Sequence, residues 1–163
     1  MPRGELVTEP PTTSRRRPVP PVAVLGAAAA AQHLLSRKHR HIGAARGLAG
    51  GALALAAGGF IAGSVREFRR AQTTVNPVAP DKATSLVTGG PHQRSRNPMY
   101  VGMAGLLLAH AVTRGNWVAG LPVLGFVAVI DRVQIPAEEA AMAELFGHDY
   151  AEYAARAPRW LSF

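Results

Sequence analysis

Residues 89–102 read Gly89-Gly90-Pro91-His92-Gln93-Arg94-Ser95-Arg96-Asn97-Pro98-Met99-Tyr100-Val101-Gly102. This stretch combines glycines, two arginines, an amide and a tyrosine, and the apolar run 101–112 follows it directly. Polar residues in a turn that leads into a bilayer-like segment indicate a functional site at a membrane surface.

Outward from this stretch, charged residues are almost absent from four blocks, 19–36, 47–65, 99–113 and 115–130. A mean hydropathy of +0.07 hides these blocks, because very basic connectors separate them. Such blocks are typical of membrane-spanning helices. We therefore predict an all-α integral membrane bundle of four transmembrane helices, at about 22–36, 47–66, 98–113 and 116–131. A short helical cytoplasmic cap, 132–163, would follow them.

The first 21 residues contain six prolines and the run Arg15-Arg16-Arg17, and they include little that a fold would bury. We predict a disordered basic arm over 1–21 and a membrane domain over 22–163. A cleaved signal peptide is the alternative. The basic cluster that follows the first apolar block favours a retained membrane helix.

The chain has a formal net charge of +8, with 18 Lys and Arg against 10 Asp and Glu. With the N-terminus in the cytoplasm, 13 of these basic residues lie on the cytoplasmic side and five on the other. The positive-inside tendency favours this orientation, although the basic segment 37–46 opposes it. Few aromatic residues accompany the charge, so we expect no nucleic-acid partner. Cysteine is absent, which excludes disulfides and thiolate chemistry.

A second polar cluster, residues 132–159, would return to the same membrane face. Arg94 and Arg96 have the donor geometry that binds carboxylate or phosphate, and Glu138 and Glu139 would meet a cation or accept from hydroxyls. The glycines of the first stretch let backbone approach a ligand closely. S-adenosylmethionine, which carries a carboxylate, an ammonium, a ribose and a sulfonium, would use all of these groups.

Each feature also has a simpler interpretation when taken alone. The two arginines would bind lipid phosphate beside a helix start, and the glutamate pair would be a solvated first turn. His39 and His41 form a pair at metal-binding spacing, but a basic loop is the better interpretation, and we predict no metal site. His110 inside the third block is read as a neutral, hydrogen-bonded side chain.

The combination of motifs resembles the superfamily of isoprenylcysteine carboxyl methyltransferases and phospholipid methyltransferases. The resemblance covers about residues 73–161. It is carried by Gly90-Pro91-x-x-x-Ser95-Arg96-Asn97-Pro98-Met99-Tyr100-x-Gly102, Arg132-x-x-x-Pro136-x-Glu138-Glu139, Phe146-Gly147-x-x-Tyr150-x-x-Tyr153 and Pro158-Arg159-Trp160-Leu161. His92 departs from the pattern, since relatives often have an aromatic residue there, and Asn97 replaces a frequent histidine.

The resemblance implies a small multi-pass membrane enzyme that uses S-adenosylmethionine, and the count of basic residues places its active site on the cytoplasmic face of the cell membrane. Arg132 and Glu139 would be catalytic. The cofactor-binding residues would be Gly90, Arg94, Arg96, Asn97, Tyr100, Gly102, Glu138, Glu139 and Tyr150.

The predicted reaction is methyl transfer to a lipidic or prenylated acceptor amid membrane lipids, most like carboxyl O-methylation of an isoprenylcysteine. Phospholipid N-methylation, as in phosphatidylethanolamine-type substrates, is one alternative, and methylation of a small hydrophobic molecule is another. A membrane bundle that binds lipid or a partner protein is the non-enzymatic alternative. The sequence makes no prediction of the oligomeric state.

Overall fold

The computed structural model describes residues 19–36, 43–74 and 82–161, and every regular element among them is helical. The helices are α1 (Pro21–Leu35), α2 (Ala44–Arg70), α3 (Pro98–Arg114), α4 (Leu121–Val129) and α5 (Ile135–Arg156). One 3₁₀ turn, Gly90–Gln93, precedes α3, and another, Trp117–Gly120, leads into α4. The prediction of an all-helical fold is confirmed for these residues. Most of the predicted N-terminal arm and the His39–His41 pair lie outside the described residues.

α2 and α3 pack most closely, and small residues allow their backbones to approach. A Cβ built at Gly102 would lie 2.8 Å from the Ala57 carbonyl oxygen and would overlap the Ile61 side chain. Gly105 faces the Ala57 Cβ in the same way, at 2.8 Å. Close helix contacts through small residues are typical of membrane bundles. This contact fixes the N-terminal half of α3, which follows the polar stretch, against the middle of α2.

α4 continues into α5 without a break. A π-helical turn, Ile130–Gln134, joins them, and Pro136 lies in the first turn of α5. A proline inside a helix clashes with the carbonyl four residues earlier, and a wider π turn relieves that clash. The segment expected to form a separate cap after residue 131 therefore begins as an extension of the preceding helix. Gly147, with φ of 46° and ψ of −115°, introduces the kink inside α5.

Two helical segments, Ala44–Arg70 and Trp117–Arg156, are long and apolar enough to cross a membrane, and α1 is a shorter apolar helix. The apolar part of the second segment ends at Ile130, because Asp131 and Arg132 follow. Large apolar side chains point outward on these helices. Leu55 is 81% exposed and Leu124 is 67% exposed, as expected for surfaces that face lipid.

Candidate active site

The two polar segments of the sequence meet at one end of the bundle. A guanidinium nitrogen of Arg96, Nη2, donates to Glu139 Oε1 at 2.8 Å, and Arg96 Nη1 donates to the Ala154 carbonyl at 2.9 Å. Arg159 approaches the same carboxylate from the other side, with Nη2 2.6 Å from Glu139 Oε2 and Nε 3.1 Å from Oε1. Both side chains of the Arg96–Glu139 pair are largely buried. One carboxylate thus binds two guanidiniums and joins the turn before α3 to the C-terminal segment.

Hydrogen bonds to two backbone carbonyls of the C-terminal segment reinforce this junction. The Arg96 amide donates to the Pro158 carbonyl at 2.8 Å, and the Arg159 carbonyl accepts from Ser95 Oγ at 3.1 Å and from Asn97 Nδ2 at 3.0 Å. Ser95 is fully buried, so its hydroxyl must be satisfied inside the protein. The segment after α5 therefore fixes the polar turn before α3.

Glu138 lies one residue from the ion pair in a different environment. Tyr100 OH donates to Glu138 Oε1, and Gln134 Nε2 donates to the same oxygen at 2.7 Å. Burial raises the pKa of the Glu138 carboxyl to about 7, although the hydrogen bonds from Tyr100 and Gln134 lower it, and the Glu139 charge adds to the rise. A carboxyl with a pKa near neutrality can take up or release a proton at physiological pH.

These groups border a cavity of about 150 Å³. Its wall combines polar side chains with aromatic and thioether groups, as ligand cavities often do. It is lined by Phe68, Thr74, Ala83, Ser85, Leu86, Val87, His92, Arg96, Asn97, Pro98, Met99, Tyr100, Met103, Glu138, Glu139, Met142, Tyr150 and Tyr153.

Two buried polar atoms on this wall have no hydrogen-bond partner among the described residues, Arg96 Nε and His92 Nδ1. The His92 side chain is only 4% exposed. Its Nε2 lies 3.4 Å from the buried Ser64 Oγ, and its ring meets Phe68 edge-on at 5.2 Å between centroids. Tyr153 OH donates to the His92 carbonyl at 2.8 Å. Unsatisfied buried polar atoms are costly, and a polar ligand in the cavity would satisfy them.

The structure brings six of the predicted site residues to the cavity wall: Arg96, Asn97, Tyr100, Glu138, Glu139 and Tyr150. It places the other four elsewhere. Gly90, with φ of 58°, packs against Glu67 on α2, and Gly102 packs against α2 as described above. Arg94 and Arg132 are exposed and do not line the cavity. The cofactor-binding role of Gly90, Arg94 and Gly102 and the catalytic role of Arg132 stay predictions, because these residues do not line the cavity.

His92, Phe68 and Arg159 are among the residues at or beside the cavity for which the sequence does not predict a site role. His92 was noted only as a departure from the family pattern. Phe68 comes from the end of α2, and no motif marked it. Arg159, which shares Glu139 with Arg96, was part of the Pro158-Arg159-Trp160-Leu161 motif, so that motif contained the available signal. Asp131 supports this motif by accepting from Trp160 Nε1 at 2.8 Å.

A sequence match shows the family of this chain. The sequence profile described as phospholipid methyltransferase matches residues 45–149, well over half of the chain. The chain belongs to this family. The match runs from the start of α2 through most of α5, so the phospholipid methyltransferase region includes nearly the whole cavity wall.

A protein of Haemophilus influenzae, described as an uncharacterized protein, is 38% identical over 63 residues. These residues are 39% of the present chain and 100% of that relative. No solved structure matches the chain.

Proposed function

We propose that this member of the phospholipid methyltransferase family is an S-adenosylmethionine-dependent methyltransferase that acts on a lipidic amine at the membrane. The single observation that carries the proposal is the cavity where the segments 92–103 and 138–153 meet around the Arg96–Glu139 ion pair. Family membership supports methyl transfer, and the donor set of the cavity supports this cofactor.

The residues present fit S-adenosylmethionine. Arg96 has an unsatisfied Nε–H that would donate to the carboxylate of the cofactor, and Glu139 would accept from its ammonium. Tyr150 and Met142 offer surfaces for the adenine ring. His92 Nδ1 would hydrogen-bond a ribose or adenine polar group. When bound, the cofactor supplies an electrophilic methyl carbon on a sulfonium.

The remaining work of this chain is to orient the acceptor and exclude water. Methyl transfer to an uncharged amine needs a nucleophile in line with the methyl carbon, so positioning contributes most of the rate. Leu86, Val87, Met99 and Met103 give the wall the apolar surface that an acyl-chain-bearing acceptor would contact. Burial of these contacts would keep water from the reacting atoms.

The charge of the cavity favours an amine acceptor over a carboxylate. Among the described residues that line it, Arg96 is the one cation, and its terminal nitrogens already bond Glu139 and Ala154. Two carboxyl groups, Glu138 and Glu139, face it. A second anionic group beside the cofactor carboxylate would have no cation to bind. An ammonium would meet Glu138, which would take its proton and leave the nitrogen lone pair to attack.

The proposed topology has four membrane crossings, by α1, α2, α3 and α4, with the cavity at the cytoplasmic surface. The helical segments that contain α2 and α4 are long and apolar enough to cross a membrane. The count of basic residues on the two sides supports the orientation. Because the chain has no cysteine, single cysteines at exposed Arg94 and Arg46 would be specific probes. In intact cells, a membrane-impermeant maleimide should label the cysteine at residue 46 but not the one at residue 94. The reverse pattern would invert the topology.

Membranes containing the protein, incubated with radiolabelled methyl donor, test the activity. Base-stable label in the lipid fraction, absent with Glu139→Ala, is expected for an amine acceptor. Base-labile label would identify an ester and therefore the carboxylate acceptor that the sequence first indicated. Calorimetry with S-adenosylhomocysteine in detergent tests the cofactor separately. No heat with the wild-type protein would leave a bundle that binds lipid or a partner protein.

A further inference from the structure

The end of the bundle opposite the cavity contains a second polar cluster. Arg114 is the last residue of α3, whereas Tyr100 lies in its first turn. The intervening 14 residues of helix separate the two positions by about 21 Å. The cluster is therefore independent of the proposed methyl-transfer site.

A buried glutamine anchors this cluster. Gln32 on α1 is fully buried, and its Nε2 donates to the Leu107 carbonyl at 2.9 Å and to the Ala119 carbonyl at 2.8 Å. Its Oε1 lies 2.9 Å from His110 Nδ1. An amide oxygen only accepts, so His110 must carry its proton on Nδ1. Gln32 thus joins α1 to α3 and to the turn before α4.

The tautomer of His110 determines the next contact. With the proton on Nδ1, His110 Nε2 has a lone pair, and it accepts from Arg114 Nε at 3.2 Å. Arg114 Nη2 lies 2.6 Å from His33 Nδ1. A guanidinium has no acceptor atom, so His33 also accepts. Both imidazoles are therefore neutral in this arrangement, and neither offsets the charge of Arg114.

A second guanidinium lies at the same end of α3. A Cβ built at Gly115 would be 2.8 Å from Arg46 Cζ, so the Arg46 head group covers the residue after Arg114. No Asp or Glu occurs in residues 10–66 or 82–130. Among the described residues, no carboxylate forms an ion pair with Arg46 or Arg114. The C-terminus of α3 offers only about half a negative charge, which is less than two guanidiniums require.

We propose that Arg46 and Arg114 form a binding site for a phosphate group at the membrane surface opposite the active site. Arg114 is pre-oriented by His110 and His33, and its remaining N–H groups would bind the anion together with those of Arg46. A phosphate has enough oxygens to accept from two guanidinium forks at one helix end. A bound phosphate would hold the start of α2 to the end of α3, next to the α1 contact through Gln32. Its source is the head group of an anionic phospholipid or free inorganic phosphate.

Thermal unfolding of the full chain in maltoside micelles, which contain no phosphate, tests the site. Phosphatidylglycerol is added in one arm, phosphatidylcholine in a second, and inorganic phosphate at constant ionic strength in a third. Binding to the folded state alone raises the Tm, and a saturable rise of about 3 °C or more is expected with phosphatidylglycerol. Phosphatidylcholine should give less, because its choline cation opposes the guanidiniums.

Arg114→Gln should abolish the rise. Arg46→Gln should reduce the rise in Tm at least twofold. This variant replaces Arg114→Gln in the test if the latter does not fold, because Arg46 is exposed and lies outside the hydrogen-bonded cluster. Arg69→Gln is the matched control, an exposed arginine at the other end of α2, and it should retain the full rise. A rise with inorganic phosphate identifies free phosphate as a ligand. The proposal is overturned if neither phosphatidylglycerol nor inorganic phosphate gives a saturable rise in Tm. It is also overturned if the rise is equal in Arg114→Gln and in the wild-type protein.

Discussion

Arg96 and Glu139 are 43 positions apart in the chain and form an ion pair with 2.8 Å between Nη2 and Oε1. Their side chains are only 16% and 22% exposed. Arg159 binds the second oxygen of the same carboxylate. The pair therefore joins the turn before α3 to α5 and to the segment after it, and it also forms part of the cavity wall.

Replacing Glu139 by Gln is expected to destabilise the protein and to abolish cofactor binding. The amide leaves Arg96 without an anion, and Arg159 keeps only its longer 3.4 Å contact with Asp131. Removing one partner of a largely buried pair costs about 3 kcal/mol. The Tm in detergent should fall, and the heat with S-adenosylhomocysteine should disappear. Asp149→Asn, at an exposed aspartate on the same helix, should change neither measurement. Wild-type cofactor affinity in Glu139→Gln would remove this carboxylate from the site.

Replacing Tyr100 by Phe is expected to shift the pH dependence of methyl transfer upward. Glu138 must be ionised to accept a proton, so activity should rise with pH through its pKa of about 7. The hydrogen bond from Tyr100 lowers that pKa, and its loss should move the rising limb of kcat/KM to higher pH.

Glu138→Gln is the companion variant, and it should eliminate the rising limb together with most of the activity. An unchanged profile in both variants would show that another group controls the limb.

How far the sequence predicts this molecule depends on the kind of interaction. The apolar blocks predict the helices, because hydropathy is a local property that a continuous segment carries by itself. The start of α3 is equally local, since Asn97-Pro98 disfavours a helix before it and permits one after it. The pairing of Arg96 with Glu139 is not local. The family motifs indicated that both segments serve one site, and the structure identifies the atoms in contact.

Two site assignments illustrate what a motif cannot resolve. Gly102 and Gly90 occur in the motif, but a motif does not say whether a glycine makes room for a ligand or for another helix. The structure places Ala57 and Ile61 against Gly102, and Glu67 against Gly90. His92 shows the opposite limit, since a single substitution in the motif gave no indication that its ring would be buried against Ser64 and Phe68.

Gly102→Ala is expected to destabilise the protein because of helix packing. The added methyl group would overlap Ile61 and lie 2.8 Å from a backbone oxygen of α2, which cannot move aside as a side chain end can. Overpacking of this kind costs about 1–3 kcal/mol.

Gly125→Ala is the matched control for the packing argument. Nothing lies within 4 Å of a Cβ at this position on α4, so the change should be neutral or stabilising by up to about 1 kcal/mol. Thermal unfolding of both variants in the same detergent makes the comparison. Equal Tm values for the two variants would contradict a packing role for Gly102.

The last prediction concerns His92 and acid stability. Burial lowers the pKa of His92 to about 4 from its ordinary 6.5, although the nearby Gly89 carbonyl and Glu67 carboxylate raise it. The unfolded chain therefore binds a proton more readily than the folded one below pH 6.5. This contribution to stability is complete above pH 6.5 and is lost as the pH falls to 4. Between pH 7.5 and pH 5, the free energy of unfolding falls by about 2 kcal/mol because of His92.

The raised pKa of Glu138 has the opposite effect on stability in the same pH range. Its folded pKa of about 7 lies above the ordinary 4.5, so its contribution is complete below pH 4.5 and is lost as the pH rises to 7. The two effects offset each other in the wild-type protein. His92→Phe, which keeps an aromatic ring but removes the titratable group, leaves only the Glu138 effect. When the pH is lowered from 7.5 to 5, the free energy of unfolding of the variant should therefore rise by about 2 kcal/mol relative to that of the wild type. Denaturant unfolding in detergent at both pH values measures this difference, and a constant offset between the two proteins would show that His92 does not titrate with folding.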